Sequence, residues 1–425
     1  MGRNGSGELG DANCSSNWNA GNTAFPTFGR SIIEPSLAWL LQPLTVQTFL
    51  DEIWGATQHH VKRCCAGYFD GLLPGSSAIE ELLKLYGQEP SAVRLVRGHD
   101  YKLGPNSYRL IDGRLDVDSV RNDFANGYTI VLDGVERHVR AITSLSHSIE
   151  VELNFPVKVN VYITPPVSQG LVPHYDTHDV LVLQVLGSKI WHLYDGVVVP
   201  PREIQRNKNK IVAIDDLLPP TDLRLDAGDV LYLPRGRFHA AETTSEPSIH
   251  LTVAIEPPTL LMLAIGALHS HSFNDDRLNA QLPPRYFDDP DVPAALGDLV
   301  RDGFQAAGDP NAIAEVLDAF EDDLVRRGKC PPASPLSHFG IDGQTLVRKY
   351  QPLYARVRAV NGGVSLQFAS SSVGAGADHE TALRFIAKST EPFRVSELPE
   401  LAIHQQIELV RSLIVSGFLV RLPDD

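Results

Sequence analysis

Between Val157 and Glu256 the chain reads as a series of short β-prone runs divided by Pro, Gly and Asp turns. The runs are Val157 to Thr164, Asp179 to Val185, Lys189 to Tyr194, Asp222 to Leu225, Asp229 to Leu233 and Ser248 to Ile255. Short strands spaced this way pair with their neighbours and close on themselves, so they predict a sandwich or barrel, not a helix-covered parallel sheet. A jelly-roll or cupin-type barrel is the leading choice.

Around this core the pattern is helical. Ser36 to Tyr86 carries Leu37, Leu41, Phe49, Ile53 and Trp54, then Ile79, Leu82, Leu83 and Leu85, at helical spacing. Mixed segments follow, including the β-branched Tyr128 to Leu132. After Pro257-Pro258 helices are expected over Leu260 to Leu268, Pro293 to Ala307 and Ala312 to Arg327. The end runs helix, short helix, helix, strand, an order like that of a small winged-helix fold. At 425 residues the chain exceeds what a single core usually sustains. The expected division is a disordered tail at 1–30, a catalytic domain at 31–257, a helical region at 258–330 and a winged-helix-like domain at 331–425.

The net charge of -15 repels phosphate backbones, so nucleic acid is not an expected partner. The helix expected over Leu401 to Ser416 carries one arginine, Arg411, and lacks the basic face that groove entry needs. A basic protein segment or an amine-bearing molecule suits this charge better. No apolar run approaches the length of a membrane span, and no secretory signal is read at the amino terminus. Cys14, Cys64, Cys65 and Cys330 do not suggest a disulfide framework, so a reducing, cytoplasmic setting is expected.

The densest chemistry lies in His174-Tyr-Asp-Thr-His-Asp179. On an extended segment His174, Asp176 and His178 share one side. Asp226-Ala-Gly-Asp-Val-Leu-Tyr-Leu-Pro-Arg-Gly-Arg-Phe-His239 then supplies a second imidazole after a strand and a Pro-Gly corner. Two histidines and a carboxylate on one face of a metal leave positions open, which suits iron(II) that must also take a cosubstrate and oxygen. A lone His-x-Asp is common in surface loops; the later Gly-Asp-Val-Leu-Tyr-Leu-Pro-x-Gly-x-x-His segment is far more restrictive. Cys64-Cys65 lacks zinc-site spacing, and His59, His60, His192 and His250 show no partner pattern.

The stretches Asn160-Val-Tyr-Ile-Thr-Pro-Pro, His174 through Lys189-Ile-Trp191 and Gly228 through His239 together resemble the JmjC-type ribosomal oxygenases of the cupin-like superfamily. The resemblance implies an α+β chain: a double-stranded β-helix, a helical dimerisation region that makes a homodimer, and a winged-helix-like end. It implies that His174, Asp176 and His239 ligate Fe(II), and that Lys189 binds the distal carboxylate of 2-oxoglutarate. Tyr162 and Asn160, alternating onto one strand face, fall where the family places polar groups near the cosubstrate. His178 is left as a structural neighbour. With O2 as co-reactant, the implied reaction is hydroxylation of an unactivated C–H bond, on a side chain of a ribosomal protein. A free amino acid or peptide in natural-product tailoring is an alternative substrate. A catalytically silent cupin that only binds is the alternative of a different class.

Overall fold

The computed structural model describes residues 35–63, 65–98, 100–102, 108–198, 219–331 and 337–423. The expected tail at 1–30, Cys14 and Cys64 lie outside them.

Eleven strands build the barrel: β1 (His59–Val61), β2 (Val93–Arg97), β3 (Asp100–Lys102), β4 (Thr129–Leu132), β5 (Val157–Thr164), β6 (Asp179–Leu186), β7 (Ser188–Val198), β8 (Thr221–Asp226), β9 (Val230–Leu233), β10 (Arg237–Glu242) and β11 (Ser248–Ile255). An eight-stranded sheet runs β1-β9-β6-β11-β5-β4-β2-β3, and a three-stranded sheet runs β10-β7-β8. Every pairing in both sheets is antiparallel. The expected jelly-roll, cupin-type core is therefore present.

Side-chain alternation decides what each face of the large sheet does. On β5, Val157, Val159 and Val161 join a core with Leu181, Leu183, Leu251 and Val253 and with Ile142, Leu145 and Ile149 of the helix Arg140–Leu153. Asn160 and Tyr162 fall on the opposite, inward face. There Val180 and Val182 of β6 pack with Trp191, Leu193 and Leu225 of the small sheet. Because both faces of β6 are covered, its sequence is an almost continuous apolar run.

Three expectations change. The entry segment is not wholly helical: β1 pairs with β9, placing His59 opposite Tyr232. The run 174–178 is not a regular strand, because β6 begins only at Asp179 and the Asp176 carbonyl is taken by the Gly236 amide at 2.8 Å. His239 follows β9 and the Pro-Gly corner as expected, but it sits inside a further strand, β10, which the sequence reading missed. A tight turn between β9 and β10, with Gly236 at φ 82°, lets the chain double back there.

Beyond the barrel, the helix Leu260–Ser272 packs with the helices Val292–Ala307 and Pro310–Arg326. The final segment has its own core, built on the strands β12 (Leu346–Lys349), β13 (Arg356–Val360), β14 (Gly363–Phe368), β15 (Ser371–Ala375), β16 (Phe393–Arg394) and β17 (Leu419–Arg421). They form two three-stranded sheets, β16-β12-β17 and β13-β14-β15, beside the helices Glu380–Lys388 and Ile403–Val415. Among the described residues no helix is long and apolar enough to cross a membrane. Cys330 is a free thiol, whereas Cys65 is disulfide-bonded.

Candidate metal centre

His174, Asp176 and His239 each offer a ligand atom, and the three atoms lie within 4.8 Å of one another. Among the described residues they are the one cluster of this kind. The imidazole rings of His174 and His239 sit 4.4 Å apart between centroids, and His239 Nε2 is 3.7 Å from Asp176 Oδ2. The backbone sets this distance: His174 and His239 form an isolated antiparallel bridge that ties the loop before β6 to β10.

Both imidazoles are oriented by local carbonyls. His174 Nδ1 lies 2.8 Å from the Val172 carbonyl, and His239 Nδ1 lies 3.0 Å from the Arg237 carbonyl. A carbonyl oxygen can only accept, so each Nδ1 carries the proton and each Nε2 presents its lone pair. That tautomer is the one a metal needs, and an anchored Nδ1–H is the usual way to hold a ligating histidine in place. Burial, reinforced by His174, holds the His239 imidazole down at about 4, so it stays neutral at ordinary pH. Burial pushes the Asp176 carboxyl up, but His174, His239, His178 and Arg94 outweigh it and hold it below the usual range. The site thus presents two imidazole nitrogens and one anion. This donor set fits a divalent iron.

The three residues line one cavity together with Lys189, Tyr162, Trp191, His250, Thr129 and Thr252. The inward face of the barrel supplies all of these walls. Lys189 on β7 is only 3% exposed, and burial lowers its ammonium to about 7. Among the described residues it has no carboxylate partner. A buried cation without a counter-ion is costly, and a bound dicarboxylate would relieve that cost. Tyr162 lines the cavity too, and Arg94 hydrogen-bonds it while gripping Asp133 through two bonds of 2.7 and 2.6 Å. Asn160 shares the inward face but does not line the cavity; its Oδ1 accepts the Gly134 amide at 3.0 Å. His178, expected beside the ligands, lines a second cavity of about 390 Å³ with Thr177, Arg235, Glu256 and Asp323.

Residues 136–263 match the family model of the JmjC domain. The chain carries a JmjC domain. That domain begins within the catalytic segment expected from the sequence, spans β5 to β11 and contains all three candidate ligands. Curated relatives include the Drosophila persimilis bifunctional lysine-specific demethylase and histidyl-hydroxylase NO66, 30% identical over 220 residues, or 52% of this chain and 31% of that protein. Mouse ribosomal oxygenase 2 is 33% identical over 225 residues, 51% of this chain and 46% of that protein. The chain therefore spans less than half the length of either. Among solved structures, the Escherichia coli ribosomal oxygenase YcfD superposes with a TM-score of 0.55 at 18% identity, covering 89% of this chain and 98% of that one. This likeness is one of fold, and a further structure of YcfD is a complex with cobalt and 2-oxoglutarate. The resemblance to JmjC-type ribosomal oxygenases is borne out.

The cavity residue His250 and Arg94, which stands behind the cavity residue Tyr162, escaped the sequence reading. Arg94 sits in Val93-Arg-Leu-Val-Arg97, where it reads as a solvated strand residue; its partner Asp133 is reached only through the β2–β4 register. His250 had no neighbour in sequence to mark it. Its position on the same strand parity as Thr252 was the available signal.

Proposed function

We propose that this protein is an Fe(II)- and 2-oxoglutarate-dependent oxygenase that hydroxylates an amino-acid side chain of a protein substrate. The carrying observation is the joint placement, in one cavity, of a two-histidine, one-carboxylate cluster and a buried lysine that has no carboxylate partner among the described residues. The curated relatives are named as histidyl-hydroxylases and ribosomal oxygenases, and the structural neighbour has been solved with cobalt and 2-oxoglutarate.

Iron(II) held by His174, Asp176 and His239 would let oxidative decarboxylation of 2-oxoglutarate to succinate drive the reduction of O2 and the oxidation of an unactivated C–H bond. The chain supplies the rest. The carbonyls of Val172 and Arg237 keep the two Nε2 lone pairs aimed inward. Lys189 attracts the far carboxylate of the cosubstrate, and the Tyr162 hydroxyl, held by Arg94, lies on the same cavity wall. Val180, Val182 and Leu171 line the cavity with hydrocarbon and exclude water from the reacting centre.

A ribosomal protein suits the charge of -15, since ribosomal proteins are basic and would be drawn to an acidic surface. A homodimer through the helical region is supported by its uncovered apolar side chains: Leu260, Ile265, Phe273 and Phe287 are all more than half exposed. The test is anaerobic loading with iron(II), followed by oxygen, 2-oxoglutarate and ribosomal proteins. Succinate formation and a one-oxygen mass gain on a ribosomal peptide are expected. Succinate without any ribosomal mass gain moves the substrate to a free amino acid or peptide, and no turnover with no iron binding favours the silent cupin.

A further inference from the structure

One ionisable residue of the cavity has no role in that assignment. His250 lies on β11, 3% exposed, directly across from Tyr162 on β5. The two rings stack at 4.8 Å with only 7° between their planes, and Trp191 meets the His250 ring edge-on at 5.7 Å. These contacts use the faces and edges of the ring. They fix its plane without using its ring nitrogens.

Among the described residues His250 Nδ1 is buried and has no hydrogen-bond partner, and the same is true of Trp191 Nε1. Unsatisfied buried polar atoms are few in folded proteins because each keeps the cost of lost hydration. Here two occur on adjoining residues that line the cavity of Lys189. Lys189 itself is buried, with no counter-ion among the described residues. Among the described residues these three polar groups lack partners in one cavity, and a ligand that accepts hydrogen bonds and carries negative charge satisfies all of them. Burial, and then the charge of Lys189, hold the His250 imidazole neutral. A neutral imidazole always retains one N–H to donate.

We propose that His250, backed by Trp191, is a binding residue for the dicarboxylate that Lys189 anchors, its ring N–H donating to the carboxylate distant from the metal ligands. The assignment rests on the cosubstrate reading above. It predicts that the pocket recognises the second carboxylate by one cation and a neutral N–H together, so that removing the N–H weakens 2-oxoglutarate but not a 2-oxo acid lacking that group.

The full chain, loaded with Zn(II) as an inert ion, is titrated calorimetrically with 2-oxoglutarate and with 2-oxobutanoate. His250→Phe keeps an aromatic ring against Tyr162 and removes the nitrogens. It is expected to lose about tenfold to a hundredfold in affinity for 2-oxoglutarate, the range for a hydrogen bond to a charged group. His250→Asn, which restores an N–H donor near Nδ1, recovers most of that loss. Zn(II) affinity and 2-oxobutanoate binding stay at wild-type values in both. Wild-type protein needs no variant for a second readout: the ring nitrogen resonances of His250 shift on adding 2-oxoglutarate and not on adding 2-oxobutanoate. Equal 2-oxoglutarate affinity in wild type and His250→Phe, or unmoved His250 resonances while 2-oxoglutarate binds, overturns the assignment of His250. A Zn(II)-loaded wild type that binds no 2-oxoglutarate at all overturns the cosubstrate reading instead.

Discussion

His174 and His239 exchange two backbone hydrogen bonds, His174 N to His239 O at 3.0 Å and His239 N to His174 O at 2.8 Å. The metal-ligand pair is therefore spaced by main chain, and the side chains can be changed without loosening the scaffold. His174→Ala, Asp176→Ala and His239→Ala should each lower iron(II) affinity by at least about a hundredfold, as loss of one of three protein ligands does. Far-UV circular dichroism of the metal-free proteins should match wild type. Retained iron binding in Asp176→Ala would remove that carboxylate from the ligand set.

Lys189 gives a pH prediction with a definite sign. Burial lowers its ammonium to about 7, so above that pH the amine is mostly neutral and must take up a proton to meet a dianion. Affinity for 2-oxoglutarate should fall with rising pH, by about tenfold per unit above 7, as one proton is taken up on binding. Lys189→Arg, whose guanidinium stays charged, should flatten the profile. Calorimetry in buffers of different ionisation enthalpy counts the proton directly.

The same lysine predicts a stability change of opposite sense to function. Between about 7 and its ordinary value the unfolded chain binds the proton and the folded chain does not, so stability rises with pH through that window. Lys189→Met should therefore raise the unfolding temperature of the metal-free protein most below pH 7, with the gain shrinking toward pH 10. It should also abolish tight 2-oxoglutarate binding. A variant destabilised at every pH would contradict this account of Lys189.

Much of this site was legible because the barrel obeys a period of two. Val157, Val159 and Val161 against Lys158, Asn160 and Tyr162 is a burial alternation readable without a structure. Lys189 was assigned from the family resemblance, with the adjoining Ile190-Trp191 arguing against a solvated lysine. What escaped depends on register or on turns. Arg94 reaches Asp133 and Tyr162 because β2 lies beside β4 and Asp133 follows β4, a relation no local window contains. His178 misled because the alternation was extended through 174–178, where the chain is a loop tied to Gly236. β10 was missed because Arg237-Phe-His-Ala-Ala-Glu242 is poor in β-branched residues and pairs through tertiary context alone.

Arg94 links the Asp133 carboxylate to the Tyr162 hydroxyl, so its loss should act on stability and on cosubstrate together. Arg94→Met leaves Asp133 without its two-bond partner and is expected to cost about 1 to 3 kcal/mol of unfolding free energy. It should also raise the KM for 2-oxoglutarate while changing kcat less, because Tyr162 loses the group that orients it. Urea denaturation and steady-state kinetics separate the two effects. An unchanged KM would confine Arg94 to a structural role.

Glu150 joins three parts of the chain far from the cavity. Its carboxylate is buried and accepts from the Val157 amide at 3.0 Å and from Arg327 Nε at 2.5 Å, with His147 Nδ1 at 2.7 Å. Arg327, at the end of the helix Pro310–Arg326, also donates to the Val157 carbonyl at 2.6 Å. The helical region is thus fastened to the first residue of β5 through one buried carboxylate. Arg327→Met should cost about 3 to 5 kcal/mol, the range for leaving one member of a buried ion pair alone. Removing the carboxylate as well, in Glu150→Gln with Arg327→Met, should recover part of that loss, since the remaining amide carries no charge to strand. A double-mutant cycle by urea denaturation reads the coupling, and strictly additive losses would show that the pair is not what fastens the two regions.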